Sequence, residues 1–394
     1  MYNKYLIAKG GGYTMSHAKR WLLAAVLLVS VVLAGCQGGS SGDNTIRIGL
    51  IAPLTGSESL FGQGYKRGVE LAVKHINEAG GILGKEVELF IEDDQNDPNQ
   101  SINAVEKLVN QNKVVGIVGA FSSKCSIPSH EKACALGVPM ISPTSTNPSV
   151  TTDSSGAHKW CAFRATFIDP FQGQVAARFA FENLGVKKAA VFWDNGNDYT
   201  IGLANYFIAN FEKLGGQIPI KEAYSAGDQD FSAQITRAVQ SGVELIYLPD
   251  YFAKVNLIAG QARQLGYTGK FMGGDGWDNA GIDETILEGS YYTAHYSPDD
   301  PAASKLVSEW KSVYNEIPTG DGALAYDAAV ILLRAIERAG TTDGHKVAEA
   351  MLNTKDLQVG TGIVSMDELG NAVKPAYILQ VTLEGPKFIT KVGP

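Results

Sequence analysis

Few features of the sequence mark an enzyme, a metalloprotein or a nucleic-acid-binding protein. Only four of the 394 residues are cysteine, too few for a disulfide scaffold, and none forms a Cys-x-x-Cys pair. No run of lysine or arginine occurs and the formal net charge is -8, which argues against a nucleic-acid partner. The motifs of zinc proteases, serine hydrolases and P-loop proteins are missing, and the histidines are scattered without metal-ligand spacing. We therefore expect no metal, no cofactor and no catalysis, although residues far apart in sequence can still meet in an enzyme site.

The N-terminus carries a short uncharged run with the pattern of an export signal. A basic flank precedes the stretch WLLAAVLLVSVVLAGC, which ends at Cys36 and is shorter than the about 20 apolar residues of a membrane span. Residues 1–36 are therefore predicted to be a signal peptide. Met15 is an alternative start, because the residues before it fit no signal peptide. The Gly/Ser-rich residues 37–44 are predicted to form a flexible tether.

The residues LAGC that end at Cys36 resemble a bacterial lipobox. The resemblance implies that Cys36 is acylated, becomes the mature N-terminus and anchors an exported protein to the cell envelope, in the periplasm or on the outer surface. An ordinary signal peptide with an incidental cysteine is the alternative.

Strand-like and helix-like segments alternate from Thr45 onward. IRIGLIA, EVELFIE and VVGIVG are strand-like, and helical segments with apolar residues at i, i+3 and i+4 follow them. The alternation restarts after Arg164 with AAVFWD, ELIYLP and KFMGG. Repeated β-α units predict an α/β fold with mostly parallel sheets covered by helices on both faces. Two Rossmann-like, doubly wound lobes of about 150 residues each fit the length.

Three glycines, Gly62, Gly64 and Gly68, invite comparison with a dinucleotide-binding motif. Their spacing misses G-x-G-x-x-G by one residue, and they lie well beyond the strand end where such a motif makes its tight turn. The preferred interpretation is that these small residues let a helix approach its neighbours.

The candidate site lies in the loops beyond the carboxyl ends of the strands, where doubly wound sheets bind ligands. Ser122 and Ser123 follow a strand and open a helix, where free N–H groups and hydroxyls suit a carboxylate, a plain helix cap being the alternative. The stretch MISPTSTNPS adds the hydroxyls of Thr144, Ser145 and Thr146 on a loop that two prolines restrict. Such a loop loses little entropy on binding.

A third loop, GGDGWDN, and several aromatic residues complete the predicted site. Asp275 lies between glycines in this loop, either as the partner of an ammonium group or as a turn residue. Aromatic residues on predicted strand-end loops could line an apolar pocket, namely Phe61, Tyr199, Tyr251 and Trp277. An anion site, a cation site and an aromatic lining together predict a zwitterionic ligand with a nonpolar tail.

Five stretches carry a resemblance to a known family: GGILGKEVELFIEDDQNDP, VPMISPTSTNPSVT, FRATFIDPFQG, DNGNDYTIGLA and FMGGDGWDN. In this order they resemble the bacterial leucine/isoleucine/valine-binding proteins of ABC importers, which have the type I periplasmic binding fold, and the match runs from Thr45 to the C-terminus. The resemblance implies two lobes that close on a ligand about a three-strand hinge. Lobe 1 would comprise residues 45–164 and 295–356, and lobe 2 residues 165–294 and 357–394. The crossings would lie near residues 162–166, 292–296 and 357–360.

The resemblance also assigns roles to the candidate residues. The residue that matches Ser123 binds the α-carboxylate, the one that matches Thr144 offers backbone groups, and the one that matches Thr146 holds both ammonium and carboxylate. Tyr199 and Tyr251 match aromatic contacts, and Phe61 matches an aromatic near the ligand's side chain. Asp275 matches an acidic residue, usually Glu, that pairs with the ammonium. The implied function is that of a monomeric, non-enzymatic solute-binding protein that delivers an amino acid, branched-chain or otherwise apolar, to an ABC permease.

Two departures from the family leave the ligand's side chain open. Asp275 is shorter than the usual Glu and must approach through its backbone or through a water. Asp321 lies near a position that is apolar in leucine binders, and an unpaired buried charge would oppose an aliphatic side chain. The alternatives are a binder of an amide, urea or an aromatic acid, for which Asp275 is a turn residue, or a ligand-sensing receptor module.

The cysteines beyond the tether allow one disulfide in an oxidising compartment. Cys125 and Cys134 would lie about 13 Å apart on one continuous helix, too far for a bridge. Cys125 and Cys161 are expected together near the top of lobe 1, so this pair is predicted, with three reduced cysteines as the alternative.

Overall fold

The computed structural model describes residues 10–11 and 44–393, and all the secondary structure below lies within residues 45–392. The predictions for the signal peptide, for acylation of Cys36 and for the tether up to residue 43 lie outside the described residues. Within the described part, no helix is both long enough and apolar enough to cross a membrane.

The first half of the chain folds into a five-stranded parallel sheet in the order β2-β1-β3-β4-β5. Its strands are β1 (Thr45–Ala52), β2 (Glu86–Asp93), β3 (Ile117–Val118), β4 (Met140–Ser142) and β5 (Ala162–Arg164). The helices between them are α1 (Ser59–Glu78), α2 (Pro98–Asn110) and α3 (Ser123–Ala135). The start of α2 follows from its sequence, because Asp97 accepts hydrogen bonds from two first-turn N–H groups and Pro98 suits the first helical position.

A second sheet has seven strands in the order β15-β14-β10-β9-β8-β6-β7. Its strands are β6 (Lys188–Asp194), β7 (Gln217–Tyr224), β8 (Leu245–Tyr247), β9 (Lys270–Gly273), β10 (Tyr291–Ala294), β14 (Ala376–Gln380) and β15 (Lys387–Val392). Strands β6 to β10 pair in parallel, and β14 and β15 are antiparallel additions at one edge. The helices are α4 (Asp169–Arg178), α5 (Asp198–Lys213), α6 (Ser232–Gln240), α7 (Phe252–Gln264) and α8 (Glu284–Leu287). The predicted α/β class, with two doubly wound lobes, is confirmed.

The chain then returns to the first sheet through α9 (Ser304–Tyr314), α10 (Gly320–Ala339) and α11 (Gly344–Leu352). Helix α10 packs along α1, and the glycines of α1 allow this close approach. A methyl group on Gly68 would overlap the carbonyl oxygen of Gly322, and one on Gly64 would overlap Asp321. The structure therefore agrees with the helix-packing interpretation of these glycines.

A small sheet of β11 (Leu357–Val359), β12 (Gly362–Met366) and β13 (Ala372–Val373) precedes β14. It packs beside lobe 1, although the sequence assigned residues from 357 onward to lobe 2. Thr361 and Lys374 bond to Asp327 of α10, and the Arg164 N–H of β5 donates to the Gly370 carbonyl. The chain therefore joins the second sheet only at β14, later than the predicted crossing, because a buried Lys374–Asp327 ion pair of 2.9 Å holds the segment on α10.

The disulfide pairs Cys134 with Cys161, with their Cα atoms 5.4 Å apart, so the predicted Cys125–Cys161 bond is wrong. Helix α3 runs antiparallel to the strands, which brings its C-terminal end, with Cys134, to the edge where β5 begins just after Cys161. Cys125 lies at the opposite end of α3, buried, with its thiol 3.4 Å from Asn96 Oδ1. Burial raises the pKa of the Cys125 thiol to about 11, so it stays protonated.

Candidate functional site

The two lobes enclose a cavity at the carboxyl ends of their parallel strands. Its lining residues are Phe61, Phe121, Ser123, Thr144, Ser145, Tyr199, Tyr251, Asp275, Gly276, Asp278, His295 and Asp321. Seven predicted site residues are therefore brought together: Phe61, Ser123, Thr144, Ser145, Tyr199, Tyr251 and Asp275. Trp277 and Thr146 are not on this lining.

One wall of the cavity is the N-terminus of α3. The Ser122 hydroxyl donates to Asn96 Oδ1, and it accepts no hydrogen bond from the first turn of this helix. Ser123 is fully buried, and its hydroxyl accepts a hydrogen bond of 3.2 Å from the Asn147 N–H. The first-turn N–H groups of a helix have no partner within the helix, and together with its dipole they favour an anion. This wall suits a carboxylate.

Beside this helix end, the loop after β4 holds its hydroxyls in fixed orientations. The Ser145 hydroxyl donates to the Phe121 carbonyl at 2.8 Å and lies 2.7 Å from the Ser126 hydroxyl. The Thr144 hydroxyl lies 2.6 Å from the Tyr65 hydroxyl. The loop is thus ordered by hydrogen bonds as well as by its prolines.

Arg164, which the sequence analysis missed, clamps the same loop from β5. Its guanidinium donates to the carbonyls of Ser145 at 2.8 Å and Asn147 at 2.7 Å. It is fully buried, and burial lowers its pKa to about 10, so it stays charged at neutral pH. An arginine inside an otherwise apolar strand was the signal that could have revealed it, since buried charges require partners.

Thr146 is not on the lining, and its buried hydroxyl lies near the Asp169 carboxyl group without making a hydrogen bond of ordinary geometry among the described residues. Asp169 at the start of α4 is near it, because its N–H donates to the Thr146 carbonyl at 2.9 Å. Burial raises the pKa of Asp169 to about 8, and the Thr146 hydroxyl partly opposes this rise. The predicted contact of Thr146 with a ligand stays a prediction.

Asp275 projects from the second lobe and is held on both carboxylate oxygens. Gln172 donates to Oδ1 at 2.7 Å, and His295 Nε2 lies 3.0 Å from Oδ2. These two partners are themselves fixed, since Gln172 also donates to Thr293 and His295 Nδ1 lies 2.6 Å from the Thr166 hydroxyl. These contacts fix the orientation of the carboxyl group and include no lysine or arginine, and a carboxylate held in this way can accept hydrogen bonds from a cationic group.

Aromatic rings from both lobes close the cavity. Tyr199 stacks on Tyr251 with their ring centroids 5.3 Å apart, and its hydroxyl accepts from the Gly276 N–H at 3.1 Å. Phe61 stacks on Phe121 at 4.4 Å, and both of these lobe 1 rings contact Tyr251 of lobe 2. The rings form an apolar cover that crosses between the lobes.

Trp277 is not part of this cover, and its predicted contact with a ligand stays a prediction. Its ring is buried against Gly273, its Nε1 donates to the Leu248 carbonyl at 2.9 Å, and it lines a separate cavity near Pro318. The short 3-10 turn Asp275–Trp277 points Asp275 into the cleft and turns Trp277 into the lobe. A turn of this kind separates neighbouring side chains, and residue type alone does not reveal which one faces the ligand.

Asp321, noted above as a departure from the family, is on the lining. The lining also contains four residues that were not predicted as site residues: Phe121, Gly276, Asp278 and His295. Burial raises the pKa of Asp278 to about 8, with Asp321 and Asp275 adding to the effect. Burial also raises the pKa of Asp321 to about 7. Asp278 lies three residues after Asp275 in the same GGDGWDN loop, and this position was the feature of the sequence that could have indicated a place on the lining.

Comparisons with known proteins agree with this architecture. A family model described as "Periplasmic binding protein" matches residues 45–386. The leucine-, isoleucine-, valine-, threonine-, and alanine-binding protein of Pseudomonas aeruginosa is 33% identical over 350 residues, which are 88% of this chain and 92% of that protein. Leu/Ile/Val-binding protein homolog 3 of Brucella melitensis is 33% identical over 358 residues, 89% of this chain and 95% of that protein.

Two solved structures are similar over nearly their full lengths. The leucine binding protein LivK of Thermotoga maritima has a TM-score of 0.82 and 37% identity, and the match covers 89% of this chain and 99% of that one. The substrate binding protein LivJ of Streptococcus pneumoniae, in complex with isoleucine, has a TM-score of 0.81 and 30% identity, with 88% and 99% covered.

Proposed function

The chain belongs to the periplasmic binding protein family, and on that premise we propose that it binds a free α-amino acid between its two lobes for an ABC importer. The observation that carries this proposal is the opposed pair of charge sites in one cavity. The α3 N-terminus with Ser123 suits an α-carboxylate, and the oriented carboxylate of Asp275 suits an α-ammonium. Because each site lies on a different lobe, one amino acid would join the two lobes.

Contacts between the lobes support a closing mechanism. Phe61 and Tyr251 bring their ring centroids within 5.7 Å, and Asn147 Nδ2 donates to the Asp198 carbonyl at 2.8 Å. An open form would break these contacts and admit the ligand to the lobe 1 wall. Closure would then bring Tyr199, Tyr251 and Asp275 over the ligand and present a joined surface to the permease.

Leucine, isoleucine and valine are the first candidate ligands, because the names of the relatives and the LivJ complex refer to them. The aromatic cover of the cavity supports a side chain of modest size. The protein acts by binding and not by catalysis, as solute-binding proteins of this family do.

The protein works outside the cytoplasm, as a monomer anchored by lipid on Cys36. The apolar run before the LAGC sequence supports export, and the cysteine at its end supports acylation. The lobe limits that the family resemblance implies belong to the same proposal, with the third crossing placed between Lys374 and β14.

Thermal unfolding of the chain from Gln37 onward tests the proposed ligand class. The protein is first unfolded and refolded to remove any ligand that it retains, and each L-amino acid is then added. A ligand at 100 times its dissociation constant stabilises by about 2.7 kcal/mol, which raises the midpoint by several degrees. A shift with a branched-chain or other amino acid supports the proposal, and no shift with any of them overturns it.

A further inference from the structure

Two carboxylates besides Asp275 line the cavity. Asp278 follows the 3-10 turn of lobe 2, and Asp321 lies in the first turn of α10 on the lobe 1 side. They are buried, with relative exposures of 8% for Asp278 and 3% for Asp321. A cavity for a purely aliphatic side chain has no evident use for two acidic groups.

These carboxyl groups have no cationic partner and no well-aligned hydrogen bond. No hydrogen bond of ordinary geometry reaches Oδ1 or Oδ2 of Asp321 or Oδ2 of Asp278 among the described residues. The side chains of Thr319 and Asn279 lie near Asp321, and the Gly320 N–H lies near Asp278, so neutral donors alone are close by. Among the described residues on the cavity lining, none is lysine or arginine. Leaving buried polar oxygens unsatisfied is costly, so each such oxygen needs an explanation.

The surrounding backbone leaves room for both groups. A methyl group on Gly64 of α1 would overlap Asp321 Oδ2, and a methyl group on Gly320 would overlap Asp278 Oδ2. Both carboxylates therefore fit beside residues that have no side chain, and the walls around them are close-packed. Their missing partners cannot come from side chains at those two positions.

We infer that Asp278 and Asp321 form a polar subsite that accepts hydrogen bonds from the side chain of the bound amino acid. This inference rests on the proposed function, in which Asp275 takes the α-ammonium and the α3 end takes the α-carboxylate. The preferred ligand then carries a donor group on a short side chain, either a neutral hydroxyl or amide or a cationic amine. Such a donor satisfies the free oxygens that an aliphatic side chain would leave buried and unpaired.

Isosteric ligand pairs test the subsite without any mutation. Calorimetric titration of the refolded protein compares threonine with valine, asparagine with leucine, and 2,4-diaminobutyrate with norvaline. In at least one pair the donor member is expected to bind at least tenfold more tightly, because the apolar member cannot bond the carboxylates. The pair that shows the preference identifies the donor as hydroxyl, amide or amine.

Variants then assign the preference to the two carboxylates. Asp321→Asn should reduce the preference to less than threefold, and Asp278→Asn provides a second variant if the first does not fold. Asp299→Asn, which changes an exposed carboxylate outside the cavity, should retain the full preference.

These experiments distinguish a failure of the proposed amino-acid function from a failure of the polar subsite. If no member of any pair binds and no L-amino acid shifts the unfolding midpoint, the proposed amino-acid function is wrong. If valine, leucine and norvaline bind as tightly as their donor partners or more tightly, or if both Asp variants keep the full preference, the polar subsite is wrong and the amino-acid function stands.

Discussion

The two ends of the cavity differ in how far the protein satisfies its own polar groups. At the end proposed for the amino acid's backbone, Thr144, Ser145 and Asp275 already have hydrogen-bond partners that fix their orientation. At the end proposed for the side chain, Asp278 and Asp321 have buried oxygens without a well-aligned hydrogen bond among the described residues. A preorganised end contributes affinity for every amino acid, whereas an unsatisfied end discriminates between side chains.

Both ends draw their groups from both lobes. Ser123 and Asp321 come from lobe 1, and Asp275 and Asp278 come from one loop of lobe 2. Closure therefore assembles the two ends together, and a ligand that satisfies only one of them gains only part of the closing free energy. Selectivity can thus arise in the closing step as well as in first contact.

The largest expected effect comes from breaking the preorganised end. Asp275→Asn removes the charge opposite the α-ammonium, and a charge-assisted hydrogen bond contributes about 1.5–3 kcal/mol. We expect the affinity for the best-binding amino acid to fall about 100-fold, which titration calorimetry measures. The loss should be similar for both members of each isosteric pair, since the ammonium is common to all.

Asp299→Asn is the matched control for this variant, because it removes one carboxylate from an exposed position. If the Asp275→Asn variant binds the amino acid within threefold as tightly as the wild type, the α-ammonium of the ligand does not pair with Asp275. This result would also remove the distinction between the two ends.

A smaller effect should appear in the pH dependence of stability at the unsatisfied end. Burial raises the folded-state pKa of Asp278 to about 8, far above that of the unfolded chain. Its contribution to stability is therefore complete below about pH 4 and is lost as the pH rises through about 8. Between pH 6.5 and 9 the ligand-free protein should lose about 2 kcal/mol through this residue, about 4 °C in the unfolding midpoint.

Asp278→Asn should remove that part of the decline, while the declines from Asp321 and Asp169 persist in both proteins. Burial lowers the pKa of His130 to about 3, so the unfolded chain binds this proton more readily than the folded protein. Stability therefore falls as the pH drops below about 6.5, and the scan starts at pH 6.5 to avoid that loss. Parallel curves for wild type and variant would mean that Asp278 does not titrate at this end.

The sequence predicted the fold and several residues of the cavity lining because both depend on local patterns. Alternating apolar strands and helices determine the doubly wound lobes, and ligands of such sheets meet the loops at the carboxyl ends. Ser123 and Thr144 followed from this rule, and the family resemblance added the role of Asp275. The clamp by Arg164 did not follow, since it depends on which carbonyls the strand end reaches.

The errors came from relations that only the three-dimensional arrangement determines. The Cys134–Cys161 bond requires that the end of α3 and the start of β5 share one edge of the sheet. The Asp278–Asp321 end joins residues 43 positions apart on different lobes, and sequence analysis found only that Asp321 did not fit a leucine pocket. The 3-10 turn also places Trp277 away from the lining, which residue type alone did not reveal.

The smallest expected effect on binding tests the position of Trp277 outside the cavity lining. Trp277 is not on the cavity lining, so Trp277→Phe should change the affinity for any amino acid by less than about twofold while the isosteric preferences stay unchanged. The variant loses the hydrogen bond to the Leu248 carbonyl, which still accepts from the Asp250 N–H, and some buried ring area. We expect a loss of about 1–2 kcal/mol of stability and a fall of a few degrees in the unfolding midpoint. A tenfold loss of affinity for all ligands would instead mean that Trp277 positions Asp275, and a loss confined to the donor ligands would mean that it positions Asp278. Either result would show that the two ends of the cavity share a support inside lobe 2.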